Sequence, residues 1–297
     1  MKNLGFVGLG KMGRPIVRRL RQKGWEVVTF DVRLKGTVNS IQEMTQKLTT
    51  PRVVWIMVPA GKPVDEIVGL LARFLRKGDV VIDGGNSYYK DSLRRAKKMK
   101  ARRIDFLDVG VSGGPISIKI GRFAIMVGGE KRIYEKCKPI FRDLSDTPSR
   151  YMGKSGAGHF VKMVHNGIEY GMMQALAEGF TILKRSPFQF RLQDVAKVYN
   201  QNSIITSRLV GWLQEGFEKY GEDLEAASEN VAHTGEGEWT VKTAKELSIP
   251  IPIIKGAFDF RIKSKKKPSY TGKILSMLRA VFGGHPINPK KRVSPIS

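Results

Sequence analysis

Five polar residues share one face of an otherwise apolar segment. Lys162, His165, Asn166, Glu169 and Tyr170 stand at i, i+3, i+4, i+7 and i+8 in GHFVKMVHNGIEYG. At about 100° per residue they fall within an arc of roughly 140° of a helix. Phe160, Val161, Met163, Val164 and Ile168 fill the remainder, which predicts a largely buried helix. Polar groups on a buried helix must be satisfied, so these five either pair among themselves or line a pocket. A lysine beside a glutamate and a histidine suits proton transfer, because burial and neighbours bring an amine toward neutrality.

A second constellation is built to bind rather than react. Gly8-Leu9-Gly10-Lys11-Met12-Gly13 follows a short apolar run and precedes Ile16, Val17 and Leu20 at helical spacing. In a strand–turn–helix context the first glycine allows the tight turn. The second admits a pyrophosphate and the third lets helix and strand pack closely. The helix N-terminus then offers unpaired N–H groups to phosphate. Asp31 closes the next strand-like run, 18 residues after Gly13. A carboxylate there accepts both ribose hydroxyls of NAD and repels the 2′-phosphate of NADP. Arg33 is able to reach such a phosphate, so NADP stays open as the lesser alternative.

Three further segments have the composition of site loops: Val58-Pro59-Ala60-Gly61, Asp83-Gly84-Gly85-Asn86-Ser87 and Ser112-Gly113-Gly114-Pro115. Each follows a strand-like run, which places all three at the carboxyl edge of a sheet, where open α/β sheets bind ligands. Their glycines free backbone N–H groups to face an anion, and Asn86 and Ser112 add hydrogen bonds.

The elements that must position these groups are legible as well. Residues 3–8, 26–31, 53–58, 80–83, 104–109 and 123–127 read as strands, with helical patterns such as 64–75 between most of them. This alternation predicts a mostly parallel, doubly wound sheet of the Rossmann type. Gly153, Gly156 and Gly158 then mark a change of texture. We expect a dinucleotide-binding domain over residues 1–155 and an all-α domain over residues 156–297. The latter would start with one helix over 157–183 and continue with helices near 192–199, 206–215, 240–247, 253–262 and 272–282. The Pro- and Lys-rich tail after Pro286 is expected to be mobile.

The chain has 297 residues and 52 Lys and Arg against 27 Asp and Glu, a formal charge of +25. Such an excess points to anionic partners. The single Cys137 excludes an internal disulfide framework and a Cys-based zinc site, and suits a reducing, cytoplasmic setting. No run of eighteen apolar residues predicts a membrane span, and no metal-ligand cluster is evident. Arg94, Arg95, Lys97, Lys98, Lys100, Arg102 and Arg103 crowd one predicted helix, and residues 263–267 form another basic cluster. These raise the alternative of a nucleic-acid-binding protein. Without interleaved aromatics, only weak, salt-sensitive and non-specific binding is expected of them.

Taken together, GLGKMG, WIMVPAG, VIDGGNSYY, DVGVSGG, KMVHNGIEYG, GEGEWT and FGGH resemble the 6-phosphogluconate dehydrogenases in their shorter, decarboxylating form. DGGNS and KxxHNxxEY are the specific parts. The wider β-hydroxyacid dehydrogenase superfamily shares the glycine loop, the SGG and the lysine, so a relative acting on a small 3-hydroxy acid is the nearest rival. The resemblance implies Lys162 as general base and acid and Glu169 as second acid. It implies contacts to the sugar acid or its phosphate from Asn86, Ser112, Gly113, Gly114, His165, Asn166, Tyr170, Arg261, Arg279 and His285. The cofactor would lie against Gly8 to Gly13, Asp31, Val32, Arg33, Val58, Pro59, Ala60 and Asn86. A homo-oligomer, dimer or tetramer, is implied too, with no metal needed.

Two departures from long-form relatives matter. Thr234 and Glu236 stand where those carry a phosphate-binding Lys and a Thr, which shifts phosphate binding toward Arg261 and Arg279. Asp31-Val32-Arg33 replaces the Asn-Arg-Thr of NADP-using relatives, which sharpens the expectation of NAD.

Overall fold

The computed structural model describes residues 2–288, so most of the tail expected to be mobile, residues 289–297, lies outside the described residues. The chain divides into two compact units, Met1–Met163 and Val164–Ser297.

The first unit runs β1 (Asn3–Val7), α1 (Gly13–Gln22), β2 (Glu26–Phe30), α2 (Ile41–Lys47), β3 (Val53–Ile56), α3 (Lys62–Phe74) and β4 (Val80–Asp83). It continues with α4 (Tyr89–Lys100), β5 (Asp105–Ser112), α5 (Pro115–Ile120), β6 (Ala124–Gly129), α6 (Lys131–Leu144) and β7 (Arg150–Gly153). One seven-stranded sheet results, in the order β2-β1-β3-β4-β5-β6-β7. Neighbours are parallel except β5 with β6. Alternate residues feed two cores, as the period of two along a strand requires. Leu4, Phe6, Trp55, Ile82 and Leu107 pack under Ile16 and Leu20 of α1 and Ile133 and Phe141 of α6. Val7, Val54, Ile56 and Val81 pack under α2, α3 and α4 through Met44, Val68, Leu71 and Met99. The doubly wound sheet is therefore present, with β7 as a strand the sequence reading lacked. β7 has only four residues, RYMG, none of them fully buried, and so carries no apolar signal.

α7 (Ala157–Arg185) is longer than the helix expected over 157–183, and the division between units falls inside it rather than at the glycine cluster ahead of it. Its first turns belong to the sheet. A Cβ at Gly158 would lie 2.4 Å from the Asp108 carbonyl oxygen, and one at Gly110 would lie 2.5 Å from Lys162 Cβ. Only glycine lets helix and strand come this close.

The second unit continues from α7 through α8 (Leu192–Tyr199), α9 (Arg208–Tyr220), α10 (Glu236–Glu246), α11 (Pro252–Ser264) and α12 (Tyr270–Gly283). Phe180, Phe217, Leu213, Ile274 and Leu278 form its core. Phe180 sits against Phe217 at 5.7 Å between ring centroids.

Two expectations need correcting. α7 is not buried all round: Ile168, Met172 and Ile182 are 51%, 45% and 71% exposed. Its solvent side carries these apolar residues along with the exposed Glu178, while Asn166 and Tyr170 of its polar face are covered. The basic run at 94–103 is not one solvated helix face either. Arg95 is 1% exposed and reaches Asp65 at 2.8 Å and Asp83 at 3.3 Å. Arg94 pairs with Asp65 and Asp91, and Arg102 and Arg103 lie beyond the end of α4. Acids distant in sequence neutralise part of the cluster.

Candidate functional site

The glycine loop has the geometry that a dinucleotide needs. Gly8 adopts φ +103°, and a Cβ there would lie 2.2 Å from the Met57 carbonyl oxygen; one at Gly13 would lie 2.0 Å from the Gly8 carbonyl oxygen. A Cβ at Gly10 would meet nothing within 4 Å and would project into open space before α1. The loop thus leaves a cradle at a helix N-terminus, where backbone N–H groups and the helix dipole favour phosphate. Lys11 is exposed and Met12 half-buried in that turn.

Asp31 is brought to the same loop. Its Oδ2 accepts the Leu9 N–H at 2.6 Å, and its Oδ1 accepts the N–H groups of Arg33 at 2.8 Å and Leu34 at 3.0 Å. Burial alone would raise its pKa, but these three donors and the Arg33 charge outweigh burial and hold it below the ordinary carboxylate value. Val32 beside it is 79% exposed and offers no charge. These residues fit a dinucleotide whose ribose meets a carboxylate.

Two of the three strand-end loops adjoin in the first unit. A Cβ at Gly85 would lie 3.0 Å from the Val58 carbonyl oxygen, so the Val58-Pro59-Ala60 turn and the Asn86 loop adjoin. Asp83 organises the latter: it accepts from Gly85 N–H at 3.2 Å and from the Ser87 hydroxyl at 2.9 Å, and it is paired with Arg95. Sequence reasoning did not single out Asp83 and Arg95 as partners, because only the fold brings α4 across the end of β4. Ser112 ends β5, two residues past the Gly110 that receives Lys162. Gly113 and Gly114 lead from there into α5.

Lys162 lies in the first unit's share of α7, and the other four stripe residues lie in the second unit's share. The start of α7 is fixed by Asp108, which accepts the N–H of Gly156 at 2.6 Å and of His159 at 2.9 Å. His159 also meets the Ser92 hydroxyl at 2.7 Å through Nδ1. Neither Asp108 nor His159 was among the expected site residues, although DVGVSGG and GHFVK both held them. His165 Nδ1 lies 3.0 Å from Asn166 Oδ1 and 3.7 Å from Glu169 Oε2. Asn166 and Tyr170 are 8% and 6% exposed.

In the second unit Tyr170 meets one of the expected cations, Arg261, and feels the charge of a second, Arg279. The Arg261 guanidinium stacks over its ring at 3.4 Å from the centroid and donates to Met173 Sδ at 3.7 Å. Arg261 and Arg279 are 3% and 9% exposed, and no ion pair to either is formed among the described residues. Burial pulls both guanidiniums below their ordinary pKa, with partial opposition from Tyr170. Burial likewise pushes the Tyr170 phenol up, and Arg261 opposes that. Glu236 is 7% exposed and accepts from the Thr234 hydroxyl at 2.6 Å, so the two departures from the long-form pattern pair with each other. His285 lies past the end of α12, and its N–H donates to the Arg279 carbonyl at 3.4 Å. The nearby Glu236 charge favours both guanidiniums and Glu169 favours Arg261, yet neither arginine is in ion-pair contact with a carboxylate among the described residues. Two buried guanidiniums are costly to hold unless an anion joins them.

Among the described residues no group of three or more His, Cys, Asp or Glu could hold a metal, and no helix is long and apolar enough to cross a membrane.

Comparison with known proteins agrees with this geometry. Residues 3–153 match the NAD binding domain of 6-phosphogluconate dehydrogenase, and residues 158–280 match the 6-phosphogluconate dehydrogenase C-terminal domain. The chain is 40% identical over 299 aligned residues to the Bacillus subtilis protein named "Putative 6-phosphogluconate dehydrogenase YqeC", with 97% of this chain and 99% of that one covered. It is 38% identical to the NAD(+)-dependent, decarboxylating 6-phosphogluconate dehydrogenase of Haloferax volcanii, at the same coverage. Among solved structures, Plasmodium falciparum 6-phosphogluconate dehydrogenase superposes with a TM-score of 0.76 at 27% identity, covering 94% of this chain and 70% of that one. By sequence and by fold, the chain belongs to the 6-phosphogluconate dehydrogenase family of oxidoreductases.

Proposed function

We propose that the chain oxidises and decarboxylates 6-phosphogluconate to ribulose 5-phosphate and carbon dioxide, with NAD as oxidant. The observation that carries this reading is the pair of buried guanidiniums, Arg261 and Arg279, neither of which is in ion-pair contact with a carboxylate among the described residues. A phosphate dianion suits two arginine forks together, whereas a small unphosphorylated hydroxy acid offers them a single carboxylate of one charge. His285 completes the phosphate end. Asn86, Ser112, Gly113, Gly114, His165, Asn166 and Tyr170 hold the sugar acid.

A dinucleotide held by the loops at Gly8 to Gly13 and Val58 to Ala60 and by Asp31 would supply the acceptor for the hydride of carbon 3. Lys162, as the neutral amine, takes the proton of the carbon-3 hydroxyl in that step. The product is a β-keto acid, whose carbon 1 leaves as carbon dioxide while the bonding electrons pass to the carbonyl oxygen. Lys162, now an ammonium, hydrogen-bonds that oxygen and stabilises the charge as it develops. Glu169, two turns and about 10 Å farther along the helix, protonates the carbon that lost carbon dioxide. Asn86 and the loops at Gly8 to Gly13 and Val58 to Ala60 hold the cofactor, and Asp31 with Val32 in place of an arginine favours NAD over NADP.

The apolar residues on the outer side of α7 support the homo-oligomer that the resemblance implies. Ile168, Met172 and Ile182 recur at helical spacing on one side, and all are exposed. An apolar stripe on an otherwise charged protein marks an association surface.

The test follows NADH and NADPH formation and carbon dioxide release with 6-phosphogluconate, with gluconate and 3-hydroxyisobutyrate as controls. Turnover with gluconate equal to that with 6-phosphogluconate would sink the phosphate assignment. Lys162→Met should abolish turnover and spare NAD binding. A higher kcat/KM with NADP than with NAD would overturn the cofactor assignment.

A further inference from the structure

A groove of about 740 Å³ runs beside α1, lined by Leu9, Arg14, Val17, Arg18, Arg21, Gln22, Thr29, Lys35, Gly36 and Thr37. Its only charged residues are three arginines and a lysine, and no acid lines it. Arg14, Arg18 and Arg21 stand at i, i+4 and i+7, so they share a face of the helix. Like charges at that spacing repel. Arg14 also sits in the first turn of α1, which contains no acid, where the helix dipole disfavours a cation. Arg21 donates to the Val27 carbonyl at 2.9 Å. Arg14, Arg18 and Lys35 make no side-chain hydrogen bond or ion pair among the described residues. Arg19 on the same helix shows the contrast: it pairs with Asp146 at 2.8 Å. Structure explains Arg19 and leaves the groove's cations unexplained.

The facing wall is built rather than loose. Thr29 N–H donates to the Thr37 hydroxyl at 2.8 Å, and Thr37 N–H donates to the Thr29 hydroxyl at 3.0 Å. A Cβ at Gly36 would lie 2.3 Å from the Thr29 carbonyl oxygen, so the loop lies flat on β2 there. This clamp sets Lys35 in the lining of the arginine groove.

We propose that this groove is a second anion site that takes a small ligand carrying two or more phosphate groups. Arg14 and Arg21 are about 10 Å apart along the helix axis, farther than one phosphate can bridge. The volume suits a small molecule of nucleotide size. Of the glycine-loop residues 8–13 only Leu9 lines the groove, and its N–H is already given to Asp31. The groove thus adjoins the dinucleotide cradle at Leu9 and extends from it along α1 to Arg21 and Gln22, and the proposal does not depend on the reaction proposed above.

The experiment is calorimetric titration of the full chain with inorganic tripolyphosphate in 0.15 M salt under saturating NAD, needing no activity readout. One saturable site is expected, with orthophosphate at least tenfold weaker. Arg18→Ser with Lys35→Ser should weaken tripolyphosphate at least tenfold and leave NAD affinity unchanged. The charge-conserving pair Arg18→Lys with Lys35→Arg should bind within threefold of the parent. Lys97→Ser with Lys100→Ser, drawn from another basic cluster, should have no effect. The proposal is overturned by the absence of saturable heat, by competition from NAD, or by equal losses in the two serine pairs. Tighter binding of a single-stranded 12-nucleotide DNA through the same residues would overturn it in favour of a nucleic-acid surface.

Discussion

The Asp108 carboxylate accepts the backbone N–H of His159 at 2.9 Å while its other oxygen accepts that of Gly156 at 2.6 Å. A strand residue therefore caps a helix that begins at Ala157, far along the chain from it. Asp108 stands in register with Asp83 on β4, and both are fully buried. Two carboxylates side by side in a low-dielectric interior need two answers. Asp83 has the Arg95 guanidinium, and Asp108 has the N–H groups and dipole of the longest helix in the described chain. Lys162 is one turn beyond His159, so the cap also fixes where that amine stands relative to Gly110.

Asp108→Ala should leave two buried N–H groups without acceptors and lower stability by about 1–3 kcal/mol. Asp108→Asn keeps one acceptor and should lose less. If the cap positions Lys162, kcat falls more than KM rises in both variants. A thermal melt of the alanine variant that matched the parent would refute the role of the cap.

Arg95→Met should cost more, about 3–5 kcal/mol, because it leaves Asp83 charged and buried. The double variant Arg95→Met with Asp83→Asn should recover part of that loss in urea unfolding. Additive losses would show that the two residues do not act as a pair. Since Asp83 also holds Gly85 and Ser87, the single variant should raise KM for ligands that reach Asn86.

The sheet, the glycine loop and Asp31 were legible because short apolar runs alternating with helical patterns, and a glycine-rich turn between strand and helix, leave local marks. The stripe from Lys162 to Tyr170 was legible for the same reason, as helical spacing is local. Arg95 was not: as sequence it is one of several cations in a row, and the acids that bury it come from α3 and β4. Ile168 was read as core because apolar residues usually are, yet the fold turns it outward. The capping role of Asp108 depends on a contact between β5 and α7, which no spacing rule foresees.

Replacing Arg261 separates phosphate binding from chemistry. Arg261→Ala should raise KM for 6-phosphogluconate by about 10²-fold, the size of a lost charge-assisted contact, with a smaller change in kcat. Arg261→Lys keeps the charge but loses the planar stack on Tyr170, and should recover less than half of the loss in free energy. An unchanged KM in the alanine variant would remove Arg261 from the phosphate site.

Cys137 is buried, and burial pushes its thiol up to about 12. At pH 8 it is therefore protonated and inert to thiol reagents in the folded chain. Because the folded value exceeds the unfolded one, its contribution to stability is complete at neutral pH and is lost as pH rises through about 9 toward 12. One thiol should react with dithionitrobenzoate in denaturant and none in buffer at pH 8. Rapid labelling of the native protein would contradict the burial.

The outer side of α7 offers the sharpest test of assembly. Ile168, Met172 and Ile182 expose apolar surface while the opposite side carries Asn166 and Tyr170 at under a tenth exposure. A helix turned this way in a lone subunit leaves apolar area in water at about 25 cal/mol per Å². Burying Ile168, Met172 and Ile182 against a second copy removes that penalty. Met172→Glu with Ile182→Lys should then shift the chain to monomers by light scattering, while circular dichroism keeps the helical signal. Neither substitution touches the cap at Asp108 or the guanidinium at Arg261, so a loss of turnover in the monomer would mean that the active site needs the partner. A parent chain that is already monomeric at micromolar concentration would leave the exposed stripe without this explanation and end the assembly proposal.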